Sequence, residues 1–336
     1  MTKLKRLAPQ LIALALILLA ITIIAPGFLG LTWRGGRIYG SLVDIAVRAA
    51  PVALLAIGMT LVIATRGIDL SVGAVMAICG AAAATMVVDG QPLAIIIPVT
   101  LLIGLACGLW NGILVAFLDI QPIIATLILM VAGRGIAQLI TEGAILTFNA
   151  PSFSFLGSGA LLGVPMPVLI WLGLGLAVGL AVRRSALGLL IEAVGINRRA
   201  ATLMGIRARF LLIAVYVVSG LCAAMAGMIV TADIRGADAN NAGLWLELDA
   251  ILAVVIGGTA LSGGRFSITA SLMGALIIQA VNTGTLISGW PPQFNLIIKA
   301  VIIILILTLQ SPVLSDWGGA LRAFRSDYRK SREAKQ

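Results

Sequence analysis

Apolar runs of membrane-spanning length follow one another along the whole chain, and they constrain its fold more than any other feature. A helix needs about 20 predominantly apolar residues to cross the hydrocarbon of a bilayer. Ten such stretches can be placed, at 8–30, 42–65, 70–88, 92–117, 122–141, 164–182, 210–232, 248–262, 268–288 and 293–311. The eighth is short and rich in glycine, so a partial or re-entrant span is expected there. Charged residues are only 11% of the 336, and 60% are hydrophobic. A water-soluble surface of this size needs far more charge, so lipid must be part of the solvent. The expectation is an all-α polytopic membrane protein with about ten transmembrane helices, forming a single transmembrane domain over 1–336.

The charge distribution gives an orientation. The net charge is +10, which in a soluble chain would suggest nucleic acid as a partner. Threading the ten spans with the N-terminus inside puts 17 of the 23 basic residues on the inner side and 3, Arg34, Arg37 and Arg235, on the outer side. Arg48, Arg134 and Lys299 fall within spans. This bias follows the positive-inside rule and predicts N-in, C-in topology with a basic inner tail at 312–336. It also accounts for the charge without nucleic acid. The N-terminus has the basic start and apolar core of a signal peptide. Its apolar run is too long for one, and no small-x-small cleavage site follows, so it is expected as an uncleaved first span.

Several chemistries are disfavoured by what the chain lacks. It has no histidine, the commonest general base and zinc ligand. Its three cysteines, Cys79, Cys107 and Cys222, are scattered in apolar runs, which suits neither a disulfide framework nor a metal site. Gly104, Gly108 and Gly112 recur every four residues, as do Gly175 and Gly179, and Ala223 and Gly227. Such spacing brings helix backbones close together in lipid.

Between the sixth and seventh spans stands a charged stretch, IEAVGINRRAATLMGIRARF, residues 191–210. It carries Glu192, Arg198, Arg199, Arg207 and Arg209. Leu190, Ala193, Val194, Ala201 and Met204 fit the apolar face of a short helix broken near Gly195. A solvated loop that sets orientation would explain the arginines alone. A short exposed helix punctuated by Gly and Asn also suits insertion into a groove of a partner.

The pattern E-A-x-G-x-N-x-x-A-A-x-x-x-G-I in that stretch resembles the coupling segment of permease subunits of bacterial ABC simple-sugar importers, the ribose and galactofuranose class. GIDLSVG within residues 58–78 and GGTALSGG within 255–276 resemble two further blocks of that family. The likeness runs from about residue 40 to 311. It implies a multi-pass protein of the bacterial inner membrane that moves a monosaccharide, with a furanose form favoured, from periplasm to cytoplasm. It implies a cytoplasmic ATPase, a periplasmic sugar-binding protein and a second permease subunit, related or identical, as partners. No G-x-x-x-x-G-K-[ST] loop is present, so ATP is expected to serve the partner ATPase, with no cofactor bound by this chain. The coupling segment 183–209 would use Glu192, Ala193, Gly195, Asn197, Ala200, Ala201 and Gly205. Glu192 would orient it through a charge-assisted hydrogen bond, Gly195 would allow a sharp turn, and the two alanines would permit close approach.

A neutral sugar calls for hydrogen-bonding groups and an aromatic face along its path. Trp110, Asn111, Gln138, Gln279 and Asn282 are the candidates, with interhelical hydrogen bonding as their alternative use. Arg134 and Lys299 are expected to pair with carbonyls or acids. Asp69 is expected at the edge of the membrane near Arg66, capping the next helix, with a gating or ATPase contact as the sharper alternative. The longer outer segments, 142–163 and 233–247, are candidate docking surfaces. Two other functions compete: an ion-coupled secondary transporter, which wants an acid in mid-span, and a membrane-embedded enzyme, which wants clustered carboxylates or histidine.

Overall fold

The computed structural model of the chain describes residues 3–291 and 293–310. The helices in chain order are α1 (Lys3–Ile24), α2 (Ser41–Arg48), α3 (Ala50–Ala64), α4 (Val72–Val88), α5 (Leu93–Ala116), α6 (Pro122–Ile140) and α7 (Pro151–Ser158). They continue with α8 (Met166–Arg184), α9 (Leu187–Ile196), α10 (Arg198–Leu203), α11 (Ala208–Ile234), α12 (Leu246–Ile256), α13 (Ile268–Ile287) and α14 (Phe294–Gln310). Three short antiparallel strand pairs are the extended structure among the described residues. The chain is therefore an all-α membrane protein. The basic tail at 312–336 lies outside the described residues.

Among the described residues, six helices are long and apolar enough to cross a bilayer: α1, α5, α6, α8, α11 and α13. A seventh arises if α2 and α3, which meet at 45°, are one broken span. Pro51 causes that bend, because it has no N–H to give Val47 and its ring crowds the preceding turn. The expected eighth span, 248–262, is helical only as far as Ile256, since α12 has 11 residues. Gly257 and Gly258 end it, and Gly258 takes φ +83°, a conformation that costs a glycine little.

The centre of the bundle is α3, buried from Ala50 to Ala64 at every residue but Pro51. α11, α12, α13 and α8 surround it. Outer helices expose apolar faces, as at Leu16, Ile23, Val131 and Leu139. In water this would be an aggregation surface, whereas in a bilayer it is the wetted one.

Small residues set the closest approach. A Cβ on Gly104 of α5 would lie 2.6 Å from the Gly220 carbonyl oxygen of α11. One on Gly108 would collide with the Tyr216 carbonyl, and one on Gly112 would stand 2.9 Å from the Cα of Ile213. Gly227 meets the Met76 backbone in the same manner. Gly175 packs on Leu272, while Gly179 faces open space, so that pair acts only in part.

The connections gather at two ends. At one, Leu146–Thr147 pairs with Gly236–Ala237, the Ile38 N–H reaches the Gly163 carbonyl at 3.1 Å, and Arg37 donates to the Ser158 carbonyl at 2.7 Å. The segment 142–163, expected as a loop, holds α7, which buries Phe153 against Phe148 and α11. At the opposite end lie the 65–71 loop, α9, α10 and the 257–267 turn.

Candidate functional site

The end of α3 organises the second group of connections. The Gly67 N–H bonds the Val62 carbonyl at 2.9 Å and the Arg66 N–H bonds that of Ile63 at 2.9 Å, closing the helix with a left-handed residue. That residue is Arg66, at φ 64°, where glycine is usual. Its side chain explains the choice: Nε donates to the Ser262 carbonyl and Nη2 to the Ile196 carbonyl, each at 2.7 Å. One guanidinium thus ties α3 to the C-terminus of α9 and to the glycine-rich turn. Gly67 follows because a Cβ there would stand 2.6 Å from the Tyr216 hydroxyl.

α9 lies directly on this junction. A Cβ on Gly195 would clash with the Ala64 carbonyl and lie 2.8 Å from the Gly264 N–H. Those two groups bond each other at 2.9 Å. The expected break at Gly195 is not found, because α9 runs through it to Ile196. The chain turns at Asn197 instead, whose side-chain oxygen accepts the Ala200 N–H at 3.0 Å and caps α10. Gly195 is needed for contact rather than for turning.

The remaining residues of the stretch divide. Val194, Ala201 and Ala208 form a small buried cluster. Ala193 is half-buried, Ala200 is exposed, and Met204, expected on the apolar face, is 84% exposed. Gly205 takes φ +86° with open space around it, ending α10. Glu192 has no hydrogen-bond or ion-pair partner among the described residues. It lines a cavity of about 220 Å³ with Arg183, Phe266 and Ser267.

Asp69 is not at an exposed edge. It is 2% exposed and sits in a polar cluster at the heart of the bundle. Its Oδ1 accepts the Ser71 hydroxyl at 2.6 Å and the Ser71 N–H at 3.1 Å, and its Oδ2 accepts the Ser219 hydroxyl at 2.7 Å. Asn111 donates to the Ser71 oxygen at 2.8 Å. Thr126 bonds the Ile68 carbonyl and the Leu70 N–H, both at 3.1 Å. The GIDLS loop is therefore pinned by α5, α6 and α11 at once. Asp69 holds the Ser71 N–H one residue before α4 begins, so the capping role falls to the turn rather than to the helix. Arg66 plays no part, because its charge is already committed to carbonyls.

The five path candidates do not converge within one copy of the chain. Trp110 is 53% exposed and Asn111 is buried beside Ser71. Gln138 is exposed and donates to Asn240 at 2.8 Å. Gln279 and Asn282 lie within 3.4 Å of each other on α13. Arg134 donates to the Ala242 carbonyl. Lys299 pairs with Asp249 at 2.9 Å, the two side chains being 12% and 13% exposed. Sequence reasoning missed Ser71 and Ser219; the S of GIDLS was visible, but nothing in the chain links position 219 to it.

A helical bundle with apolar outer faces, glycine-sealed crossings and connections pinned at both ends is the build of a polytopic membrane protein. Residues 41–307 match the family described as "Branched-chain amino acid transport system / permease component", and the chain belongs to that family. It is 61% identical over 303 residues to the galactofuranose transporter permease protein YtfT of Escherichia coli (strain K12), covering 90% of this chain and 89% of that one. It is 40% identical over 324 residues to the fructose import permease protein FruF of Bifidobacterium longum (strain NCC 2705), covering 94% and 91%. It is 38% identical over 300 residues to the ribose import permease protein RbsC of Escherichia coli (strain K12), covering 88% and 91%. No solved structure matches.

Proposed function

We propose that this chain is the permease subunit of an ATP-driven importer that carries a monosaccharide, galactofuranose or a close relative, across the bacterial inner membrane into the cytoplasm. The observation that carries this reading is the 61% identity to a galactofuranose permease over nine-tenths of each chain. The fructose and ribose permeases at 40% and 38% support monosaccharides as the class.

The chain crosses the membrane ten times with both termini in the cytoplasm, the short α12 counting as the eighth crossing. Segment 183–209 meets the cytoplasmic ATPase, which alone binds and hydrolyses ATP. In support, α9 and α10 stand at the surface while Arg66 and Gly195 link them to the central helix α3. A push on α9 therefore reaches the GIDLS loop through a few backbone contacts. The paired segments at 142–163 and 233–247 receive a periplasmic sugar-binding protein. The sugar path runs between this chain and a second permease subunit, which explains why the polar candidates of one copy do not face each other.

Uptake of radiolabelled galactofuranose into proteoliposomes holding the purified transporter tests this. Transport that needs ATP and binding protein, and that excess unlabelled galactofuranose suppresses more than ribose or fructose, is expected. The buried Asp69 gives an ion-coupled carrier its best argument. Uptake that persists without ATP and collapses with a protonophore would favour that reading instead.

A further inference from the structure

A groove of about 730 Å³ opens where α10 leads into α11, and its lining mixes two chemistries. Arg198, Arg199, Arg207 and Arg209 bring four guanidinium groups to it, and Leu203, Ile206 and Phe210 bring an apolar wall. Asp119 is the one carboxylate on the lining, and it is committed to Arg198 at 3.0 Å. The second nitrogen of Arg198 donates to the Ala116 carbonyl at 3.1 Å. Arg199, Arg207 and Arg209 have no carboxylate partner among the described residues.

Arg209 lies over the Phe117 ring, 5.7 Å from its centre. Phe117 meets Phe210 edge-on at 6.2 Å. Phe117 closes the C-terminus of α5 and Phe210 is in the first turn of α11. The aromatic wall therefore stands on two helices of membrane-spanning length, with Phe117 47% and Phe210 63% exposed. Cations beside aromatic rings at the ends of such helices mark the headgroup level of a bilayer.

We propose that this groove binds an anionic phospholipid: Arg207, Arg209 and Arg199 hold the phosphate, and an acyl chain lies along the Phe117–Phe210 wall. An acidic protein surface would answer the arginines but leave the Phe117–Phe210 wall uncovered, and free phosphate would do the same. A phospholipid satisfies both chemistries. Bound there, it bridges α10 to the ends of α5 and α11. The lining from Arg198 to Arg207 belongs to segment 183–209, so lipid and ATPase would meet neighbouring faces of one segment, and the inference holds whether or not the ATPase docks there.

Native mass spectrometry of the assembled transporter, reconstituted with phosphatidylglycerol or phosphatidylcholine and stripped with detergent in steps, provides the test. Phosphatidylglycerol should resist stripping in the unaltered protein and phosphatidylcholine should not. Arg207→Gln/Arg209→Gln should weaken retention roughly thirtyfold, the order expected from losing two basic groups at an anionic lipid surface. Arg183→Gln/Arg184→Gln, basic at the same end but outside this groove, should leave it unchanged. Phe117→Ala should also weaken retention, which separates loss of the wall from loss of charge. Equal retention in the Arg207/Arg209 variant and the unaltered protein overturns the proposal. So does displacement by millimolar inorganic phosphate, which would mark a simple anion site. Loss of the ATPase subunit from that variant with phosphatidylglycerol still held would assign the arginines to protein docking and overturn it equally.

Discussion

Ser219, midway along α11, donates its hydroxyl to the Asp69 carboxylate at 2.7 Å across 150 residues of sequence. The second carboxylate oxygen is held by Ser71. A hydrogen bond to a charged group contributes about 1.5–3 kcal/mol, and an acceptor left bare in a buried site loses that and more. Ser219→Ala should therefore lower unfolding stability by about 1.5–3 kcal/mol, read by denaturation in mixed micelles. Asp69→Leu should reduce the yield of folded protein further, because it strands Ser71, Ser219 and Asn111 together.

Arg66 and Gly195 address one junction from two sides, and their variants should behave differently. Arg66→Gly relieves a left-handed backbone, worth about 1 kcal/mol, while removing the tie to Ser262 and Ile196. Its thermal stability should change little, and sugar uptake per ATP hydrolysed should fall. Gly195→Val forces α9 off the Ala64 carbonyl and should abolish uptake while ATP is still hydrolysed. Gly205→Asn, at an open left-handed position that asparagine tolerates, should transport normally. Normal uptake in Gly195→Val would remove the junction from the transport mechanism.

Lys299 and Asp249 pair where both are largely shielded. Removing one partner of such a pair costs about 3–5 kcal/mol, whereas replacing both with apolar residues is often neutral. Lys299→Met should denature at markedly lower temperature than the unaltered protein. Lys299→Met/Asp249→Leu should recover most of the loss, and a failure to recover would mean that the cost came from packing.

Asp238 gives the 235–245 segment an acid limit. The Asn241 side chain donates to it at 2.7 Å, and the N–H groups of Asn240 and Asn241 donate at 3.0 and 3.2 Å. These bonds, the Asn241 side chain foremost, hold its carboxyl below the usual value. The turn is therefore fully stabilised above the unfolded value of about 3.9 and loses that stabilisation as pH falls through the lower folded one. The opening constant for hydrogen exchange at 239–242, which is the exchange rate divided by that of an unprotected amide at the same pH, should stay flat down to about pH 4 and rise below it. Asn241→Ala should move the rise to higher pH.

The long apolar helices were legible because roughly 20 apolar residues in a row have few other uses. Where they end was harder to read. Gly195 and Asn197 are both helix-breaking residues two positions apart, and only the fold reveals that Ala64 needs the glycine while the Ala200 N–H takes the asparagine. From sequence, Asp69 is expected at the membrane edge near Arg66, capping the next helix. Its partners come from α11 and from the turn before α4, and Arg66 spends its charge on carbonyls 130 and 196 residues downstream. Hydrophobic periodicity carries no information about such distant polar pairings. The eighth apolar stretch outruns its helix for a simpler reason: Ala260 and Leu261 after Gly257 and Gly258 count toward hydropathy, although the glycines have already ended α12 at Ile256.

The crossing of α5 and α11 is built from backbone resting on backbone at Gly104, Gly108 and Gly220. Contacts of that kind contain no side chain that can change rotamer, so the two helices have no soft coordinate along which to slide. They behave as one stiff pillar running the depth of the membrane. Any opening of a passage must then be delivered by elements that swing around the pillar, such as α8, whose Gly179 faces open space.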